Sequence, residues 1–150
     1  MEHKNAKITP DHLARRAVLY VRQSSIRQVY ENQESTKRQY ALKQSGVALG
    51  WPEDMIDIID EDLGISGASV NARAGYKRLV SEVSQENIGI VISIEASRLS
   101  RSSSDWSNLL EICRLTRTLI LDEDGLYDPS DFNDRMLLGL KGTMSEALCS

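Results

Sequence analysis

Short apolar runs alternate with polar, helix-forming stretches along this chain. Ala17 to Val21 (AVLYV), Met55 to Ile59 (MIDII), Ile88 to Ile94 (IGIVISI) and Thr118 to Leu121 read as strands, the third being the clearest buried run. Tyr76, Leu79, Val80 and Val83 fall at i, i+3, i+4, i+7, and so do Trp106, Leu109, Leu110 and Cys113. Each set marks one face of an amphipathic helix, the second placed to be capped by Ser104 or Asp105. Helix formers dominate Asn32 to Leu49 with weak apolar spacing, and Gly46, Gly50 and Trp51-Pro52 supply stop signals. After a turn region from Gly125 to Asp131, Met136, Leu137, Leu140, Met144 and Leu148 mark a final helix. Strands alternating with helices predict an α/β domain with a mainly parallel sheet. Before Ala17 there is no sustained period, only a helix start at Thr9-Pro10-Asp11, so residues 1–16 read as an N-terminal arm and 17–150 as one domain.

A parallel sheet puts its chemistry at the carboxyl ends of the strands. Three polar loops qualify: Arg22 to Arg27, Gly64 to Arg73 and Glu95 to Ser102. Charge sharpens this picture. The chain carries a net charge of −4 over 150 residues, which excludes a globally basic nucleic-acid-binding surface and leaves local clusters to meet any anion. Residues 1–27 hold six bases (Lys4, Lys7, Arg15, Arg16, Arg22, Arg27) against Glu2 and Asp11, whereas Asp122 to Asp134 holds six acids and no base. No apolar run approaches the roughly 20 residues of a membrane span, so a soluble, cytoplasmic protein is expected. Cys113 and Cys149 fit neither metal-ligand spacing nor a disulfide framework, and Cys113 reads as a buried thiol.

Arg22 and Ser24 stand two positions apart at a strand end, so a guanidinium and a hydroxyl share one face if the extended backbone persists. Serine is a weak nucleophile and needs a base or a strongly positive surrounding. His3 and His12 both precede the first strand, which makes a Ser-His-Asp triad a poor fit. Arginine is left to supply the positive surrounding. Arg98 and Arg101 lie three apart, a pose in which two forked donors suit a phosphate. Taken pair by pair, solvated surface is the better reading of such residues; the coincidence of three loops at strand ends favours a metal-free phosphodiester site. Asp60, Asp62, Asp122 and Asp124 offer the alternative of a metal-dependent phosphohydrolase. A third reading is a non-catalytic dimerisation module built on the apolar last helix, whose exposed Met136, Leu140 and Met144 invite a partner.

Four segments occur in the order seen in serine recombinases: Tyr20-Val21-Arg22-Gln23-Ser24, Asn32-Gln33-Glu34-Ser35, Gly64-Ile65-Ser66-Gly67 and Ser97-Arg98-Leu99-Ser100-Arg101. The chain resembles the resolvase/invertase family. Trp51-Pro52, Ile59 to Gly64, Asp124 to Pro129 and Leu140 to Ala147 look like the large serine recombinases in particular, and the likeness runs from about Lys7 to Ala147. The resemblance implies a three-layer resolvase-like domain in which Ser24 is the nucleophile. Arg22, Arg98 and Arg101 would bind and activate the scissile phosphate, Gln33 and Ser66 would line the site, and Arg73 and Arg27 would contact DNA. It implies a 5′-phosphoserine intermediate, strand exchange and religation with no metal or cofactor, and DNA as partner to a homodimer that becomes a tetramer in the synaptic complex. Ser97 stands where many members carry Asp, and the large members often have Ser there. The family's motif continues into a long helix and DNA-binding domains, whereas Glu146-Ala147 is followed here by Leu148-Cys149-Ser150. A truncated catalytic fragment is therefore expected, its last helix ending early and its C-terminal DNA-binding domain absent.

Overall fold

A computed structural model describes residues 7–20, 33–59, 74–93 and 103–149. Its elements are α1 (Pro10–Leu13), β1 (Arg16–Tyr20), α2 (Gln33–Leu49), a 3-10 turn (Glu53–Met55), β2 (Ile56–Ile59), α3 (Ala74–Ser84), β3 (Ile88–Ile92), α4 (Ser103–Thr116), β4 (Leu119–Asp122), β5 (Gly125–Tyr127) and α5 (Phe132–Cys149). The strands form one sheet in the order β2-β1-β3-β4-β5, parallel except for the antiparallel pairing of β5 with β4. The α/β architecture and mainly parallel sheet are as the sequence predicts.

Alternating side chains divide the core in two. Ala17, Leu19, Ile56, Ile90, Ile92, Leu119 and Leu121 form one layer with Leu42 of α2, Trp51 and, at its margin, Leu13 of α1. Val18, Tyr20, Ile59, Val91 and Ile120 form the other with the predicted faces of α3 (Tyr76, Leu79, Val83) and α4 (Trp106, Leu109, Leu110, Cys113) and with Leu138 of α5. Ile88 shares the side of Val91 although three positions precede it, because the pairing of β1 with β3 shifts register between Arg16 and Ala17 and skips Gly89. A Cβ at Gly89 would stand 2.2 Å from the carbonyl oxygen of His12, so only glycine lets α1 lie this close to β3.

Four boundaries differ from the sequence reading. Arg16, counted with the arm, opens β1. Gly46 does not stop α2: it is buried inside the helix, where a Cβ would lie 3.0 Å from Ile92 Cδ1, and so permits close approach to the sheet. The stop comes at Gly50, whose φ is 128°, with Trp51 N–H donating to Gly46 O and Gly50 N–H to Val47 O. Helix α4 begins at Ser103, so Ser104 and Asp105 lie within its first turn instead of capping it, and Asp105 adds negative charge at the positive end of the helix dipole. The region read as turn after Gly125 contains β5, whose Leu126 and Tyr127 are buried against β4.

The amino edge of the sheet is fastened by arginines. Arg15 donates from Nη1 to the carbonyls of Ile88 and Thr116 and from Nη2 to that of Arg117 and to Asp11 Oδ2, at 2.9–3.1 Å. It thus ties the start of β3 to orphan carbonyls at the end of α4. Arg16 meets Asp57 through two bonds, Nε to Oδ2 at 2.7 Å and Nη2 to Oδ1 at 2.8 Å. That hydrogen bond is the main reason the Arg16 pKa is raised and the Asp57 pKa lowered.

Candidate functional site at the carboxyl edge of the sheet

Strand order fixes where a site can form. Chain order proceeds from β1 outward to β2, then crosses back to β3 on the other side of β1, which makes the β1/β3 boundary the switch point of the sheet. Leu19 pairs with Ile92 across that boundary, and Tyr20 pairs with Ile59 on the opposite side of β1. The carboxyl ends of β2, β1 and β3 therefore lie side by side.

The helices are oriented to match. Trp51, just past α2, donates its indole N–H to Arg15 O at 3.0 Å, Asn87 past α3 accepts from Arg16 N–H at 3.0 Å, and Thr116 at the end of α4 meets Arg15. The carboxyl ends of all three helices thus sit at the amino edge of the sheet. Their amino ends consequently point toward the carboxyl edge, where summed peptide dipoles favour an anion.

Of the residues singled out from sequence, Arg22, Ser24, Arg27, Ser66, Arg73, Arg98 and Arg101 lie outside the described residues. Gln33 is the first residue of α2, placed at the end of that helix nearest the carboxyl edge. The described cations of the basic arm are engaged within the fold itself. Arg15 and Arg16 act at the amino edge, and Lys7 donates to Leu126 O at 2.7 Å and pairs with Asp134 at 2.9 Å. These three cations, counted from sequence as part of an anion-facing cluster, hold the fold together.

Asp122 and Asp124 also have a different role from the metal ligation considered for them. Asp122 Oδ1 accepts the N–H groups of Asp124 at 2.9 Å and Gly125 at 3.1 Å and so builds the turn from β4 to β5. Lys141 on α5 places Nζ 2.6 Å from Asp124 Oδ2, 3.4 Å from Asp122 Oδ2 and 5.7 Å from the centre of the Tyr127 ring. Burial works against the Lys141 ammonium, but the Asp124 hydrogen bond and the charge of Asp122 outweigh it and raise its pKa. Among the described residues no group of three or more His, Cys, Asp or Glu side chains could hold a metal ion. Asp60 and Asp62 lie outside them. Lys141 entered the sequence reading only within the Leu140 to Ala147 likeness, and nothing local there points to this ion network, since a lysine beside apolar helix positions reads as ordinary helix surface.

Two other expectations bear on reactivity and surroundings. Cys113 is fully buried, and loss of solvent pushes its thiol up to about 12, which makes it unreactive in the folded state. Among the described residues no helix is long and apolar enough to cross a membrane.

Comparison with known proteins agrees with this geometry. A relative from Sinorhizobium fredii (strain NBRC 101917 / NGR234), the uncharacterized protein y4bA/y4pH, is 63% identical over 141 residues, which are 94% of this chain and 20% of that protein. The chain thus spans about one fifth of the length of the curated relative it matches. The N-terminal catalytic domain of TP901-1 integrase shares the fold with a TM-score of 0.55 at 22% identity, covering 88% of this chain and 95% of that one. A resolvase family site-specific recombinase from Streptococcus pneumoniae does so with a TM-score of 0.60 at 23% identity, covering 89% and 87%. Residues 17–149 match the resolvase N-terminal domain, so this chain belongs to the resolvase family.

Proposed function

We propose that this domain cuts and rejoins DNA, with Ser24 as the nucleophile. Its Oγ attacks a phosphodiester, the bond to the 3′ oxygen breaks, and that oxygen leaves as a free 3′-hydroxyl while the phosphate stays on Ser24 as a 5′-phosphoserine. After strand exchange a 3′-hydroxyl attacks the phosphoserine and releases the enzyme. Arg22, Arg98 and Arg101 serve as the cations that meet charge growing on the phosphate oxygens, Gln33 and Ser66 line the site, and Arg27 and Arg73 contact the DNA backbone.

The observation that carries this reading is the strand order. Arg22 and Ser24 follow the end of β1 by two and four positions, and Arg98 and Arg101 follow the end of β3 by six and nine. These are the neighbouring strands of the switch point, where the rule for open α/β sheets puts the ligand. The amino ends of α2, α3 and α4 favour the same anionic ligand. Membership of the resolvase family supports the same assignment. The metal-dependent alternative is weakened because Lys141 and two turn amides already occupy the carboxylates of Asp122 and Asp124.

DNA is the proposed substrate and a second copy of the chain the proposed partner, with four copies assembling for strand exchange. Phe132, Met136, Leu137 and Leu140 on α5 are each at least half exposed, an apolar face that supports association. The deciding experiment incubates the protein with a pool of nicked duplexes of randomised sequence and isolates covalent protein–DNA adducts. Peptide mapping is expected to place the phosphate on Ser24, and Ser24→Ala is expected to abolish the adduct. An adduct that survives in Ser24→Ala overturns the assignment.

A further inference from the structure

Helix α5 is amphipathic in the reverse of the usual sense. Phe132, Met136, Leu137 and Leu140 face outward, while among the described side chains of the helix its attachments to the body of the domain are chiefly polar. Three of them recur at i, i+4, i+7, the spacing of one helix face. Asp134 takes the ammonium of Lys7 at 2.9 Å, the carbonyl of Leu138 accepts the Trp106 indole N–H at 2.7 Å, and Lys141 reaches Asp124 at 2.6 Å. Leu138 also sits in the core.

The Lys141 contact is the most distal of the three and the one with the most partners. It joins a buried carboxylate, Asp122, to an exposed one, Asp124, and lies over the face of Tyr127. Asp122 ends β4, whose Leu121 carbonyl accepts Ser93 N–H at 2.9 Å as the chain leaves β3. One ammonium therefore connects α5, the β4–β5 turn and the carboxyl edge of the sheet.

We propose that Lys141 is an electrostatic latch that seats α5 on the β4–β5 hairpin, so that the placement of the helix and of its apolar outer face depends on this ion network. The inference is independent of the chemistry proposed for Ser24. A helix seated mainly by apolar burial would tolerate loss of one cation near its middle. Here that loss leaves Asp122 buried without its Lys141 counter-charge, which weakens the attachment.

The two tryptophans provide the measurement. The Trp106 indole N–H reports contact with α5, and the Trp51 indole N–H, bound to Arg15 O, reports the opposite edge of the sheet. In Lys141→Met, nuclear magnetic resonance is expected to show the Trp106 indole proton exchanging with solvent about tenfold faster, with Trp51 unchanged. Asp124→Asn, at an exposed position, is expected to shift Trp106 in the same direction by less. Lys141→Arg is expected to restore slow exchange. Unchanged Trp106 exchange in Lys141→Met overturns the proposal, as does equal acceleration of both indoles, which would mean general destabilisation. If Lys141→Met does not fold, unchanged Trp106 exchange in Asp124→Asn overturns it.

Discussion

His12 shows how one side chain can serve two structural ends. Its backbone carbonyl rests against Gly89, while its ring Nδ1 accepts the Thr9 N–H at 3.0 Å and completes a capping box around α1. That role requires an unprotonated Nδ1. Burial, and then the charge of Arg15, lower its pKa below the ordinary 6.5, against the opposing pull of the Arg117 carbonyl, Asp128 and Asp11. The unfolded chain thus takes up the proton first as pH falls. The stability contributed by neutral His12 is complete above the ordinary value and is lost as pH drops from there through the folded-state pKa. Urea midpoints measured from pH 7.5 to pH 5 should therefore decline, and His12→Asn should decline less steeply over the same range. None of this could be read from the sequence, where His12 counted only as a histidine too early in the chain for a triad. Its significance comes from a glycine far along the chain.

At the level of elements, legibility followed chemistry that is local. The runs AVLYV, MIDII and IGIVISI announced strands, and the faces of α3 and α4 announced helices, because burial imposes its period directly on apolar side chains. The face of α2 escaped because a glycine marks it. Strand β5 escaped because three residues beginning in Gly125 carry almost no periodic signal. Helix ends escaped where the usual glycine is missing. Both α3 and α4 end on a left-handed residue that is not glycine, Glu86 at φ 65° and Arg117 at φ 58°, with Asn87 N–H donating to Glu82 O and Thr118 N–H to Cys113 O. Each residue carries steric cost that glycine would not, and the charge of Glu86 also opposes the negative end of the helix dipole. Glu86→Gly is predicted to stabilise the domain by about 0.5–1 kcal/mol in chemical denaturation, after the greater backbone entropy of glycine in the unfolded chain is deducted.

For the molecule as a whole, the candidate site was legible in the sequence as residue types and motifs at strand ends, but not which of those ends lie side by side. Strand order is a long-range property, and no local pattern states that β1 lies between β2 and β3. Nor does a count of charges distinguish Arg15 and Arg16, spent on the amino edge, from the arginines proposed to meet a phosphate. The outward face of α5 makes its own prediction. Replacing Met136 and Leu140 together with lysine should weaken self-association at least tenfold in sedimentation equilibrium and leave the melting temperature nearly unchanged at dilutions where the chain is monomeric, because both side chains are already more than half exposed. The antiparallel strand β5 has a last consequence. An open sheet invites another chain to extend it, and a long flat border is the usual route to fibrillar aggregates. Here one border is only three residues long and runs counter to its neighbours, and its final residue, Tyr127, lies beneath the Lys141 ammonium. That border offers little template for a foreign strand, so the molecule carries an exposed apolar helix face while limiting indiscriminate growth of its sheet.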